Sequence, residues 1–214
     1  MGVLKGLDTT MELTRHARAL ARQGYDFVLR YYSHNAAKNL SLGEARALAE
    51  AGLRIGVVWE TAGTRASFFN RSQGLADGAA AFLMAREVIG QPYGSAIYFA
   101  VDYDPTQADI DGAISNYFTG VRAALYVAAE GQPSYRVGVY GSGLCCGTLV
   151  ERGMASLSWL SQSTGYAGSR QYAEQRRYDL IQMLPARILG EDGVVLHVDP
   201  DASHPEHEAG LFRV

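Results

Sequence analysis

The sequence predicts a compact (β/α)8 barrel of the TIM type, with residues 1–214 forming one domain. Three observations point there. Short apolar runs alternate with longer helical patterns along the whole chain, which implies a parallel sheet with helices outside it. Eight such units within 214 residues fit a barrel at the small end of its usual size. No glycine-rich phosphate fingerprint follows the first strand, where "GLDTTMEL" supplies an aspartate, so an open doubly wound sheet fits less well.

The elements follow in order. "GVLKGLD" (2–8) reads as a strand, and 9–24 as a helix capped by Thr9 or Thr10 and closed by Gly24. "YDFVLRYY" (25–32) is the second strand. The helix at 40–52 has Ser41 and Glu44 in capping-box spacing and Gly52 as terminator. "LRIGVVWE" (53–60) is the third strand, and 73–90 an alanine-rich helix. "SAIYFAVDYD" (95–104) leads into a long helix from about Thr106 to Glu130. "YRVGVYGS" (135–142) precedes a helix at 143–153, and "SLSWLSQS" (156–163) is the sixth strand. "YDLIQML" (178–184) and "VVLHVDPD" (194–201) complete the set, with weaker helical signal between them.

Composition narrows the function classes. Hydrophobic residues are 48% and charged residues 19%, ordinary values for a soluble globular protein. A net charge of −3 and no Lys/Arg cluster argue against nucleic acid or an anionic membrane as partner. No apolar run approaches the roughly 18–20 residues that span a bilayer. The N-terminus lacks the long apolar segment of a secretory signal. The chain is therefore expected to be cytoplasmic at synthesis, or a fragment whose export signal lies elsewhere, and to act as a monomer. Cys145 and Cys146 are adjacent and offer neither a disulfide framework nor metal-ligand spacing.

In a barrel, chemistry collects at the C-terminal strand ends, and here those ends are polar throughout. They carry Asp8, then Arg30, Tyr31 and Tyr32, then Trp59 and Glu60, then Asp102 and Asp104. Tyr140 and Ser142, Trp159 and Gln162, Gln182, and finally Asp199 and Asp201 follow. Side chains alternate along a strand, so Asp102 and Asp104 share a face with Cβ atoms about 7 Å apart. Two carboxylates that close raise the pKa of one toward what a general acid requires. With Asp8 and Glu60 they form the expected catalytic ring. Arg30, Tyr32, Trp59, Tyr140, Trp159, Gln182, Asp199 and Asp201 are the expected substrate contacts. Carboxylates among flat aromatic faces suit glycoside hydrolysis. A hard-cation site is the rival for an acidic ring. No strand-end histidine or cysteine supplies a transition-metal set, and neither metal nor cofactor is expected.

At these residues a family resemblance becomes visible. "GLD" (6–8), "RYY" (30–32), "LSLGEARALAEAGLRIGVVWE" (40–60) and "GLADGAAAFLMAREVIGQPYGSAIYFAVDYD" (74–104) form one ordered pattern. With "YRVGVYGS" (135–142) and "WLSQSTGYAGS" (159–169) it resembles the glycoside-hydrolase-like domain of bacterial, especially actinobacterial, proteins. That domain is similar in turn to the family 25 (Chalaropsis-type) lysozymes, barrels that cleave the β-1,4 bond after N-acetylmuramic acid. The resemblance implies a carbohydrate-polymer substrate such as peptidoglycan. It matches the lysozymes' strand-one aspartate to Asp8, their Asp-x-Glu pair to Asp102 and Asp104, and their last-strand aspartate to Asp199 or Asp201. Asp104 thereby takes the place of the acid, one methylene shorter than a glutamate. Three functions follow: a glycosidase, a glycan-binding pseudoenzyme, or a metal-dependent hydrolase or deacetylase.

Five other features carry expectations. "HPEHE" (204–208) reads as a solvated tail, and His16 as a surface residue of the first helix. His197 reads as a satisfied barrel residue and His34 as a mouth residue able to touch substrate. The loop 63–74, with Phe68 and Phe69, either folds back on the barrel or serves as a lid.

Overall fold

Strands β1 (Lys5–Asp8), β2 (Phe27–Tyr32), β3 (Arg54–Trp59), β4 (Ala96–Ala100), β5 (Arg136–Gly141), β6 (Leu157–Leu160) and β7 (Leu180–Gln182) run parallel, each paired with the next. The computed structural model describes residues 2–214. Two further strands, β8 (Ala186–Leu189) and β9 (Val195–Ser203), form a hairpin, and β9 closes the ring between β7 and β1. The result is an eight-stranded closed barrel with helices around it, as the alternating pattern predicts.

One strand departs from expectation: β9 is antiparallel to both neighbours. A parallel return needs a crossover of a dozen or more residues, usually a helix. The stretch between Gln182 and Val195 instead forms β8 and a tight turn, with Asp192 and Gly193 both left-handed (φ 55° and 72°). The reversal sets depths. Asp199 pairs with Asp8 at the mouth, whereas Asp201 lies opposite Gly6 and Gln182, one layer down.

Period-two alternation divides the strand residues between two faces. Phe27, Leu29, Tyr31, Val58, Tyr98, Trp159 and Leu180 pack inside the barrel. Gly138 makes room there, since a Cβ on it would fall 2.4 Å from the Tyr98 ring. Val28, Tyr32, Ile55, Val57, Trp59, Ile97 and Phe99 face outward against the helices. These are α1 (Ala17–Arg22), α2 (Leu42–Glu50), α3 (Arg71–Leu83), α4 (Gln107–Asp109), α5 (Ser115–Ala128), α6 (Gly143–Glu151) and α7 (Ser169–Glu174). The long helix expected from Thr106 starts at a Thr106–Asp109 capping box and passes through a π-helical stretch, Ile110–Ile114, into α5. Gly74 and Gly120 let α3 and α5 touch backbone to backbone: a Cβ on Gly74 would sit 2.0 Å from the Tyr117 carbonyl.

Three local expectations change. His16 is buried, accepting the Glu191 N–H at Nδ1. His197 is exposed on β9. The "HPEHE" segment is not a free tail, because His204 is buried and stacks on His207 at 3.8 Å between ring centroids. Beyond it the chain forms the barrel floor: Tyr98 donates to the Ala209 carbonyl (2.9 Å), and Phe212 pairs with Ile55. The loop at 63–74 folds back, with Phe69 buried edge-on to Tyr117. Both cysteines are buried free thiols in α6.

Candidate active site

The mouth holds a cavity of about 190 Å³ that gathers Glu60, Asp102 and Asp199 with Tyr31, Tyr140 and Trp159. Gln162 and Gln182 also line it. Its members arrive by strand parity. Tyr31 follows Phe27 and Leu29 on the inner face of β2, Glu60 follows Val58, and Asp102 follows Tyr98 and Ala100. A second groove beside it, bounded by Asp8, Tyr31 and Asp199, runs along the β8–β9 hairpin past Arg187 and His197.

Asp8 is buried behind this surface, and its carboxylate is held by three groups. It accepts from the Tyr31 hydroxyl at 2.8 Å and from Gln182 Nε2 at 2.7 Å. The third is Asp201, fully buried, whose other oxygen accepts the Trp159 indole N–H at 2.8 Å. Burial, with Asp8 beside it, raises the Asp201 carboxyl well above the carboxylate range, and its Oδ2 has no other hydrogen-bond partner among the described residues, so a proton shared with Asp8 would satisfy both. Burial also pushes Asp8 up to about 7, against the Gln182 and Tyr31 hydrogen bonds that favour its charge. Gln182 extends the network, accepting from the Tyr140 hydroxyl at 2.9 Å. Burial raises both phenols, so they remain donors.

Across the cavity, Lys38 reaches Glu60 at 2.8 Å from the short turn Ala36–Lys38. Desolvation raises the Asp102 carboxyl, Glu60 adds to the effect, and Lys38 opposes it. A carboxyl raised by desolvation, on an exposed side chain at the rim, thus shares the cavity with one paired to a cation. Tyr140 and Trp159 meet edge-on at 4.7 Å and supply the aromatic wall.

The sequence-predicted residues divide. Glu60, Asp102, Tyr140, Trp159, Gln182 and Asp199 line the cavity; Asp8 lies one hydrogen bond behind it, and Asp201 one layer deeper. Four are elsewhere. Asp104 is exposed past the bend at Tyr103, where alternation no longer holds, and accepts the Ala167 N–H at 2.8 Å. Arg30, Tyr32 and Trp59 occupy outward positions on β2 and β3. Arg30 is buried against Glu44 of α2 at 2.7 Å, Tyr32 donates to Gln91, and Trp59 meets His34 edge-on at 5.1 Å. Tyr31 shares the parity of Phe27 and Leu29, but a strand buried on both faces leaves that parity unmarked, and nothing in the sequence singles out Lys38. No helix among the described residues is long and apolar enough to cross a membrane.

Comparison with known proteins agrees with this architecture. An uncharacterized protein of Bacillus subtilis, FadG, is 30% identical over 200 residues, covering 91% of this chain. The chain spans about a third of that relative's length, 34%. The crystal structure of the Mycobacterium tuberculosis Tat-secreted protein Rv2525c superposes with a TM-score of 0.74 at 19% identity, covering 98% of each chain. A bacterial lysozyme from Streptomyces coelicolor shares the fold at a TM-score of 0.53 and 13% identity, covering 98% of this chain and 94% of that one. The family model for the Rv2525c-like, glycoside hydrolase-like domain matches residues 18–205, most of the barrel, and this chain belongs to that family.

Proposed function

We propose that this chain hydrolyses N-acetylated cell-wall glycan, with Asp102 rather than Asp104 as the proton donor. The observation that supports it is the raised Asp102 carboxyl facing Lys38-paired Glu60 in a cavity walled by Tyr140 and Trp159. Asp102 gives its proton to the glycosidic oxygen as the C–O bond breaks, and a water then bonds the anomeric carbon and returns a proton to Asp102. Asp8 and Asp199, at the edge where the two depressions meet, set negative charge against the positive charge developing at the anomeric carbon, or orient the acetamido group for attack. The Asp201 proton keeps Asp8 ionisable near neutrality instead of leaving two carboxylates in repulsion. Tyr31 and Gln182 fix the Asp8 oxygens. Export from the cell, as for the Tat-secreted neighbour, followed by action at the wall, belongs to the same reading.

A second reading rests on Asp104. The residue aligned by resemblance with the lysozyme acid is occupied with Ala167, which suits a glycan-binding domain that has lost turnover. Reducing-end release from purified peptidoglycan separates the two. Asp102→Asn should lower the rate by about 10²–10⁴, the usual contribution of a general acid, and Asp104→Asn should leave it within about threefold. A wild type that binds muropeptide in calorimetry yet releases no reducing ends would establish the binding role. Loss of activity in the Asp104 variant alone would return the acid to that position.

A further inference from the structure

The barrel has a further depression at its opposite, N-terminal face, a cavity of about 500 Å³. That size is within the range of small-molecule sites. Arg54 opens β3 and Arg136 opens β5, and both line it. Arg54 shares strand parity with Gly56 and Val58, and Arg136 with Gly138 and Tyr140, so both guanidiniums are on the axial face. Among the described residues neither has a carboxylate within ion-pair distance or a side-chain hydrogen bond.

The remaining wall comes from the "HPEHE" segment, to which the mouth assigns no role. His204 is only 8% exposed, and its Nδ1 accepts the Glu206 N–H at 3.1 Å. The neutral ring therefore carries its proton on Nε2, which has no partner among the described residues and is a donor left for a ligand. His207 stacks on it, with Nδ1 3.4 Å from Asp179 Oδ1. Asp179 itself is occupied, accepting the Ser158 N–H at 2.7 Å, and does not line the cavity. Glu208, exposed at the rim, is the lone carboxylate in the lining. Tyr93 and Phe212 add apolar faces.

We propose that this floor cavity binds a small organic anion, a phosphate or carboxylate on a flat apolar body, independently of the mouth. Arg54 and Arg136 take the anionic group in charge-assisted hydrogen bonds, which guanidinium forks suit. His204 Nε2–H donates a further bond, and Tyr93 covers the body of the ligand.

Phenyl phosphate is the probe, titrated calorimetrically into the whole chain, with phenol and inorganic phosphate as controls. Saturable one-to-one binding is expected, at least tenfold tighter than either control. Arg54→Gln and Arg136→Gln should each weaken it at least fivefold, and Asp102→Asn at the mouth should leave it unchanged. Should an arginine variant fail to fold, the wild type still decides. Its His204 and His207 imidazole resonances should shift on titration while those of His34 stay put. Absence of saturation in the millimolar range, equal affinity for phenol, or shifts centred on His34 would each overturn the proposal.

Discussion

Glu44→Ala tests whether Arg30 is a structural residue instead of a substrate contact. The two side chains are 1% and 0% exposed and paired in a fork, Nε to Oε1 at 2.7 Å and Nη2 to Oε2 at 3.3 Å. Oε1 also accepts the Leu13 N–H at 2.9 Å, and Arg30 Nη1 donates to the Thr9 carbonyl just past Asp8. Removing the carboxylate leaves a buried, uncompensated guanidinium, which costs about 3–5 kcal/mol. The orphaned Leu13 N–H adds to that, though the same carboxylate serves both, so a total of about 4–5 kcal/mol is expected. With a urea m-value of about 2.5 kcal/mol/M, the midpoint should fall by about 1.6–2 M. The double replacement Arg30→Met/Glu44→Leu should recover most of it, because apolar substitutes for a buried pair are often neutral or stabilising. In either background the KM for glycan should move little where the protein stays folded. A midpoint shift under about 0.4 M for Glu44→Ala, roughly 1 kcal/mol, would refute the scaffold argument, as would a KM increase in the double variant at unchanged stability.

Stability should also follow the Asp8 proton. Its folded pKa, about 7, stands above the ordinary 3.8, so the folded state holds a proton that the unfolded chain loses. Stability should then fall as pH rises from about 4 to about 7, by up to about 1.4 kcal/mol per unit in that window. Asp8→Asn should remove that share of the slope in urea unfolding, leaving the share owed to the raised Asp201 carboxyl, and an unaltered slope would exclude Asp8 as a source. Gly74→Ala forces a methyl onto the Tyr117 carbonyl and should cost about 1–3 kcal/mol, read as a drop in Tm of about 2–12 °C by calorimetry. Exhaustive EDTA should leave glycan hydrolysis within about twofold, since carboxylate acid/base cleavage needs no metal. Loss on chelation with recovery on adding a divalent ion would overturn that.

Strand order, helix placement and the acidic mouth were legible in the sequence because short apolar runs alternate with longer helical patterns and the runs end on polar residues. Parity was not. A strand buried on both faces has no polar side to mark orientation, and "FVLRYY" is buried at every position. Arg30, Tyr31 and Tyr32 therefore looked equivalent, although only Tyr31 points inward. Asp102 fits the inner rhythm of Tyr98 and Ala100. Extending that rhythm to Asp104 fails because the chain bends at Tyr103, between the two aspartates. The reversed last strand did leave a trace: the helical signal before residue 194 is weak and the space for a crossover is short. Lys38 and the Asp8–Asp201 proton depend on tertiary contacts that no local pattern encodes.

Closure of the ring between β1 and β9 has a consequence for biosynthesis. Asp8 and its neighbours Asp199 and Asp201 are brought together across about 190 residues of intervening chain. At about 5–20 residues per second the two groups are separated by about 10–40 s of elongation. Throughout that interval the apolar inner faces of β2 to β6 lack the strand that completes their enclosure. Pairings this distant in sequence also form slowly. The nascent barrel is thus a client for whatever shields unfinished sheets. The carboxylates of the candidate site meet only when synthesis has passed Asp201, so a chain that stops short of it cannot display the finished cluster.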